Sequence, residues 1–291
     1  MSALRWGYGL NGFTGHRLGD ACAVVAGLGY QGVGLTLDQP HLDPFAEDVA
    51  AQVAHARACL DRQALACVIE TGSRYVLDPW HKHEPTLVSG SRRERRVELL
   101  TRAVRIAHEL GAEAMSCWSG TLPSGVPDEE GWRRLLGGLG PVLDTAARLG
   151  VVVAFEPEPG MFVATLDDAL ELRRRLGEPE HLRLTLDLGH LVCNEPRTPA
   201  ETVAIAGPLL GNVQVDDMVR DVHEHLPLGT GALDLDAVVA ALVGTGYTGL
   251  ASVELPRHSH AAPVVAAQSM AALTDSLDRV LAANHPEEVH R

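Results

Sequence analysis

Short apolar runs alternate with longer amphipathic stretches along the whole chain. The runs are Leu4–Leu10, Gly32–Leu37, Ala64–Thr71, Ala112–Trp118, Val151–Glu156, Leu182–Leu188, Asn212–Asp216 and Leu250–Leu255. They are rich in Val, Leu and Ala and carry few charges before their last residues, the pattern of strands buried on both faces. Between them, apolar positions recur at helical spacing. Asp43–Arg62 has a proline and acidic residues in its first turn, as helix starts do. Ser91–Leu110 sets Leu99, Leu100, Ala103, Val104, Ile106 and Ala107 on one stripe and stops at Gly111, a C-terminal cap. A further helix ends at Arg148-Leu149-Gly150. Others begin at Thr165, where Asp167 and Asp168 follow an N-cap residue, near Thr198 and at Asp234, and the last is Ala262–Ala283. A glycine just before a strand recurs at Gly29, Gly111, Gly150 and Gly246. This repeating unit, with no break in composition, predicts a single (β/α)8 TIM barrel over residues 1–291, one domain. The residues after His285 read as a frayed tail.

In such a barrel the chemistry lies where the strands stop. The last four runs carry an acid or an amide there: Phe155-Glu156-Pro157-Glu158, Leu186-Asp187-Leu188, Val213-Gln214-Val215 and Val253-Glu254-Leu255. A carboxylate buried without a partner is costly, and three facing one space repel one another. A divalent cation answers both problems. The expected ligands are Glu156, Asp187, Gln214 and Glu254, an all-oxygen set that favours Mn2+ or Mg2+ and leaves Co2+ or Zn2+ as alternatives. Each has a blander reading. Glu156 or Glu158 could cap the following turn, Asp187 could be a helix N-cap, Gln214 could bond backbone, and Glu254 could pair with Arg257. Histidines gather after strands: His190 behind the strand-six acid, His223 and His225 ahead of Gly229 and Gly231, and His16, His41, His81 and His83 after strands one to three. His190, His225, Glu158 and Trp118 are the expected substrate contacts, with the two glycines letting their loop turn closely past the site. Tyr8, Phe13, Trp80, Trp118 and Phe162 also fall near strand ends, where they either wall the pocket or pack the barrel top.

From Gly7-Tyr8-Gly9 to Glu254 the pattern resembles the xylose-isomerase-like TIM-barrel superfamily of sugar isomerases and epimerases. Members supply Glu, Asp, His or Gln, and Glu from four strand ends to one divalent metal. The matching residues here are Glu156, Asp187 (in an Asp-x-x-His with His190), Gln214 and Glu254. Hydroxypyruvate isomerase-like and dehydroshikimate dehydratase-like members resemble this chain in carrying Gln where many have His. His225 ahead of Gly229 and Gly231 also looks like the family's loop. The resemblance implies that Glu156 and Glu254 touch the metal and exchange protons with a small polyhydroxy carbonyl substrate through a metal-stabilised enediolate. It implies an isomerase or epimerase. The alternatives are a metal-dependent dehydratase of an inosose- or dehydroshikimate-like substrate and, more remotely, an endonuclease IV-like nuclease, which needs several zinc ions and extra histidines. Many relatives are homodimers or homotetramers, and the same is expected here.

Composition narrows the partners. With 24 Lys and Arg against 38 Asp and Glu, the net charge is −14, a field that repels nucleic acid and anionic membranes. The one basic cluster, Arg92, Arg93, Arg95 and Arg96, reads as a solvated helix face. Five cysteines with no CxxC argue against a disulfide framework and point to the cytoplasm. No leader-like or membrane-length apolar run stands out, so neither secretion nor a membrane partner is expected.

Overall fold

Every one of the eight apolar runs becomes a strand in the computed structural model, which describes residues 4–284. The barrel strands are β1 (Arg5–Gly9), β2 (Gly32–Thr36), β3 (Ala66–Glu70), β4 (Met115–Trp118), β5 (Val153–Glu156), β6 (Leu182–Asp187), β7 (Leu210–Val215) and β10 (Leu250–Val253). An antiparallel hairpin, β8 (Asp217–Val219) and β9 (Val222–Leu226), stands between the last two. All eight barrel pairings are parallel and close in the order β1-β10-β7-β6-β5-β4-β3-β2. This is a (β/α)8 barrel, with nearly every strand residue buried, as two-faced burial requires.

The helices are α1 (Leu18–Gly27), α2 (Val49–Gln63), α3 (Arg93–Leu110), α4 (Asp128–Leu149), α5 (Leu166–Arg175), α6 (Leu188–Asn194), α7 (Pro199–Ala206), α8 (Leu235–Thr245) and α9 (Ala262–Asn284). The punctuation signals hold. Thr165 and Thr198 each form a capping box, with Asp168 and Glu201, and the Asp234 side chain caps α8. Gly111 ends α3 in the left-handed region.

Several expectations need correction. α2 begins at Val49, because the Asp43 carboxylate takes the Phe45 N–H at 2.9 Å and holds 43–48 in turns. α3 begins at Arg93, since Arg92 has φ +56. β7 starts at Leu210, which already pairs with Leu184. The hairpin and α6 have no counterpart in the expected elements. The arginine cluster is not simply a solvated face. Arg96 is fully buried, its guanidinium donating to the carbonyls of Pro85, Thr71 and His83 and lying 4.7 Å from the Trp118 ring centroid. Arg92 bonds Asp78 at 2.9 Å. No helix among the described residues is long and apolar enough to cross a membrane. The tail expected after His285 lies outside the described residues.

Inside the barrel the packing is partly polar. Ser116 and Thr185 share a hydrogen bond of 2.9 Å, and Asn212 donates to Glu70 at 3.3 Å. Gly32 leaves room for Leu250, whose Cδ1 would lie 2.5 Å from an added Cβ. This polar layer sits directly beneath the strand ends.

Candidate metal centre

Four neighbouring barrel strands bring the four expected ligands to one mouth. Glu156 ends β5, Asp187 ends β6, Gln214 lies near the end of β7, and Glu254 follows β10. All four are buried or nearly so. Glu156, Gln214 and Glu254 line a cavity of about 330 Å³, together with Glu158, Trp118, His190, His223 and His225. A larger groove of about 650 Å³, lined by α2 and α3 residues, lies away from these groups. Glu156, Glu158, Glu70 and Glu254 line the smaller cavity and none of them lines the larger groove.

Asp187 does two things at once. Its Oδ1 accepts from the backbone N–H of Gly189 at 2.8 Å and of His190 at 3.1 Å, so it is the N-cap of α6. Its Oδ2 is buried without a hydrogen-bond partner. The cap and ligand readings therefore do not compete. Because α6 starts at once, His190 stands over the same space, with Nδ1 3.4 Å from Glu156 Oε1 and Nε2 3.7 Å from Asp187 Oδ2.

Gln214 does not spend its amide on backbone. Nε2 donates to Glu254 and, at 3.3 Å, to Glu70. Both acceptors are carboxylates, so Oε1 is the end left buried and unpaired. Glu254 also accepts from Asn11 at 2.8 Å, whereas Arg257 pairs with Glu224 at 2.8 Å and not with Glu254.

The hairpin delivers the histidines. His223 Nε2 lies 3.0 Å from His190 Nε2, and His225 Nδ1 bonds Asp216. Gly231 does approach something closely: a Cβ there would meet Asp217 Oδ1 at 2.3 Å. That carboxylate accepts from the N–H of Gly229, Gly231 and Leu233 at 2.8–3.0 Å and pins the loop.

The electrostatics are those of crowded acids. Burial, then Glu158 and Glu254, push the Glu156 carboxyl well above its usual range. Burial and Glu254 do the same to Glu70, and burial raises Glu254. Glu158 is pushed up to about 8 by burial and Glu254. Burial takes His190 down to about 3, so its ring is neutral. Buried acids facing each other, with Asp187 Oδ2 and Gln214 Oε1 unpaired among them, fit a bound cation. Three groups bring ligand atoms within 4.8 Å of one another: Glu156, Asp187 and His190; Asp187, Asp216 and His225; and His190, His223 and His225.

Of the five aromatic residues expected near strand ends, only Trp118 lines the cavity. Tyr8 and Phe13 are buried edge to face, Phe162 packs on Trp132, and Trp80 is 86% exposed. The cavity also holds residues outside the expected set: Asn11, Glu70, Arg74, Lys82 and His83. The strand-end rule applies equally to Val68-Ile69-Glu70, and reading it only on the last four strands leaves Glu70 out. Asn11 carries no such signal.

A model of the xylose isomerase-like TIM barrel family matches residues 22–276. Over 159 residues the chain is 24% identical to the L-ribulose-5-phosphate 3-epimerase UlaE of Salmonella paratyphi C (strain RKS4594), covering 55% of each protein. It thus spans about half the length of the curated relatives it matches. A solved L-ribulose 3-epimerase superimposes with TM-score 0.78 at 18% identity, covering 99% of this chain and 100% of the other. The zinc-bound IOLI protein does so with TM-score 0.73 at 15% identity, covering 95% and 99%. At such identities the structural likeness carries the fold.

Proposed function

Because the chain belongs to the xylose isomerase-like TIM barrel family, we propose that it is a divalent-metal-dependent epimerase or isomerase of a small ketose. The observation that carries this reading is that Glu156, Gln214 and Glu254 line one cavity and Asp187 brings a ligand atom within 4.8 Å of one on Glu156, with Asp187 Oδ2 and Gln214 Oε1 buried and unpaired. Those four residues would hold the ion. Their oxygens favour Mn2+ or Mg2+. The zinc of the IOLI structure and the nearby histidine nitrogens keep Zn2+, and with it Co2+, among the candidates.

A bound divalent ion supplies polarisation of the substrate carbonyl, which makes the neighbouring C–H more acidic. Glu156 and Glu254 stand on strands separated by β6 and β7 and so face a substrate from different sides. One carboxylate takes the proton from the carbon beside the carbonyl, and the other, in its acid form, gives one back. Return to the opposite face of the same carbon inverts it; delivery to the former carbonyl carbon, with the adjacent hydroxyl's proton passing to the former carbonyl oxygen, exchanges aldose and ketose. Glu70 and Asn11 hold Gln214 and Glu254 in place by hydrogen bonds. Neutral His190, and His225 oriented by Asp216, are placed to bond substrate hydroxyls, and Trp118 gives an apolar wall. Glu158, whose carboxyl is raised to about 8 by burial and Glu254, is the remaining expected contact. The names of UlaE and of the L-ribulose 3-epimerase support a ketopentose-like substrate inverted next to its carbonyl. A homodimer or homotetramer belongs to the same proposal.

Incubating metal-loaded protein with ketopentoses and ketohexoses in D2O tests the reading by NMR. Deuterium should enter the carbon next to the carbonyl as the epimer appears. New ultraviolet absorbance from a conjugated carbonyl would replace it with dehydration. No exchange with any ketose, or several zinc ions per chain, would overturn it.

A further inference from the structure

Lys82 is the one lysine among the chain's 24 Lys and Arg residues. It lies in the loop between β3 and α3 and lines the same cavity as the acids. Every other fixed positive charge in the protein is an arginine, and many of those are spent on carboxylates or carbonyls, as Arg96 and Arg257 are. Lys82 makes no ion pair or side-chain hydrogen bond among the described residues. Its neighbour across the loop, Arg74, bonds Asp38 through Nε at 2.8 Å, and its two Nη groups are uncommitted among the described residues. Arg74 lines the cavity as well. The field of Lys82 reaches Glu158 and His223, which follow β5 and sit on β9. The ammonium thus overlooks the acid floor from the opposite wall without pairing with any of its acids.

A lysine placed only to balance the acids would sit on one of them. This one stands apart at the mouth, beside a second partly committed cation, over a cavity whose floor the ketose reading reserves for the carbonyl end. We propose that Lys82 and Arg74 bind an oxyanion, phosphate or carboxylate, at the far end of the substrate, so that the preferred substrate is a phosphorylated or acidic sugar. This deepens the epimerase reading and rests on it for the direction in which the sugar lies. Lysine suits the task as a compact, mobile point charge, and the planar arginine fork adds direction.

Polyols that lack a carbonyl read this binding without turnover. With Mn2+ added, the wild-type protein is titrated calorimetrically with xylitol, xylitol 5-phosphate and xylonate. One charged analogue should bind about tenfold or more tightly than xylitol, the size of one charge-assisted hydrogen bond. The analogue preferred identifies the oxyanion. The advantage should shrink with added salt, fall in Lys82→Met and return in part in Lys82→Arg. Equal binding of all three by the wild type, or an anion preference untouched by Lys82→Met, would overturn the proposal. Absence of deuterium exchange would instead sink the epimerase reading, while the titration still reports on the oxyanion site.

Discussion

Replacing Arg96 by Met is expected to destabilise the protein by about 3 kcal/mol. The side chain is 2% exposed, with Nε 2.9 Å from the Pro85 carbonyl, Nη1 3.3 Å from that of Thr71, and Nη2 bonded to His83. Three carbonyls left buried without a donor cost about 1.5 kcal/mol each, or roughly 4.5 kcal/mol in all. The stacking on Trp118 adds about 0.5–1 kcal/mol. Against this, the variant no longer buries a cation. That burial pulls the guanidinium down to about 10 and, relieved, returns about 2 kcal/mol. Urea unfolding measures the difference as a shift in midpoint at constant slope. Arg95→Met, on the exposed neighbour, serves as the control and should stay within about 0.5 kcal/mol of wild type. Amides between residues 72 and 90 should also exchange faster, because these three carbonyls anchor that loop. An Arg96 variant as stable as the Arg95 one would refute the reasoning.

Glu254→Gln should keep the fold and lose deuterium exchange at the substrate carbon, and retained exchange would take the proton-transfer role from Glu254. For Gln214→Leu, equilibrium dialysis should record Mn2+ affinity lower by about tenfold or more; unaltered affinity removes Gln214 from the ligand set. His83 is held down to about 4 by burial, then by Lys82, against its ordinary 6.5. Below 6.5 the unfolded chain takes up a proton that the folded His83 refuses, so stability is complete above that pH and declines as pH falls toward 4. Relative to His83→Gln, wild type should lose about 1 kcal/mol more between about pH 7 and pH 5, a value reduced for partial exposure. Parallel urea curves at both pH values would disprove it.

The barrel was legible because buried parallel strands and their capped helices leave periodic, punctuated patterns. Thr165, Thr198, Asp234 and Gly111 mark helix ends where expected, since each acts on backbone a few residues away. The hairpin was not legible. Val219 and Val222 are exposed, and its turn rests on Asp221 at φ +62, a position where glycine would have been the signal. Arg96 looks like its neighbours in sequence, and only the fold of the β3–α3 loop over it decides that it is buried. In the candidate site, an acid closing an apolar run is a local pattern, which is how Glu156, Asp187 and Glu254 could be singled out. Asn11 meets Glu254 across 243 positions of sequence, and nothing near either residue marks the partnership.

The ring is lopsided. Its proposed reactive groups occupy the adjacent staves β5, β6, β7 and β10, while Arg74, Lys82, His83 and Trp118 hang from the other half. Besides the strand ladders, the tethers that join the halves include Asn11 to Glu254, Glu70 to Asn212 and Gln214, Ser116 to Thr185, and, above β4, Ser119 and Gly120 accepting from the N–H of Val163 and Phe162. An engineer seeking a different sugar can therefore rewrite the segments above β3 and β4, leave those tethers alone, and retune what is held apart from what is done to it.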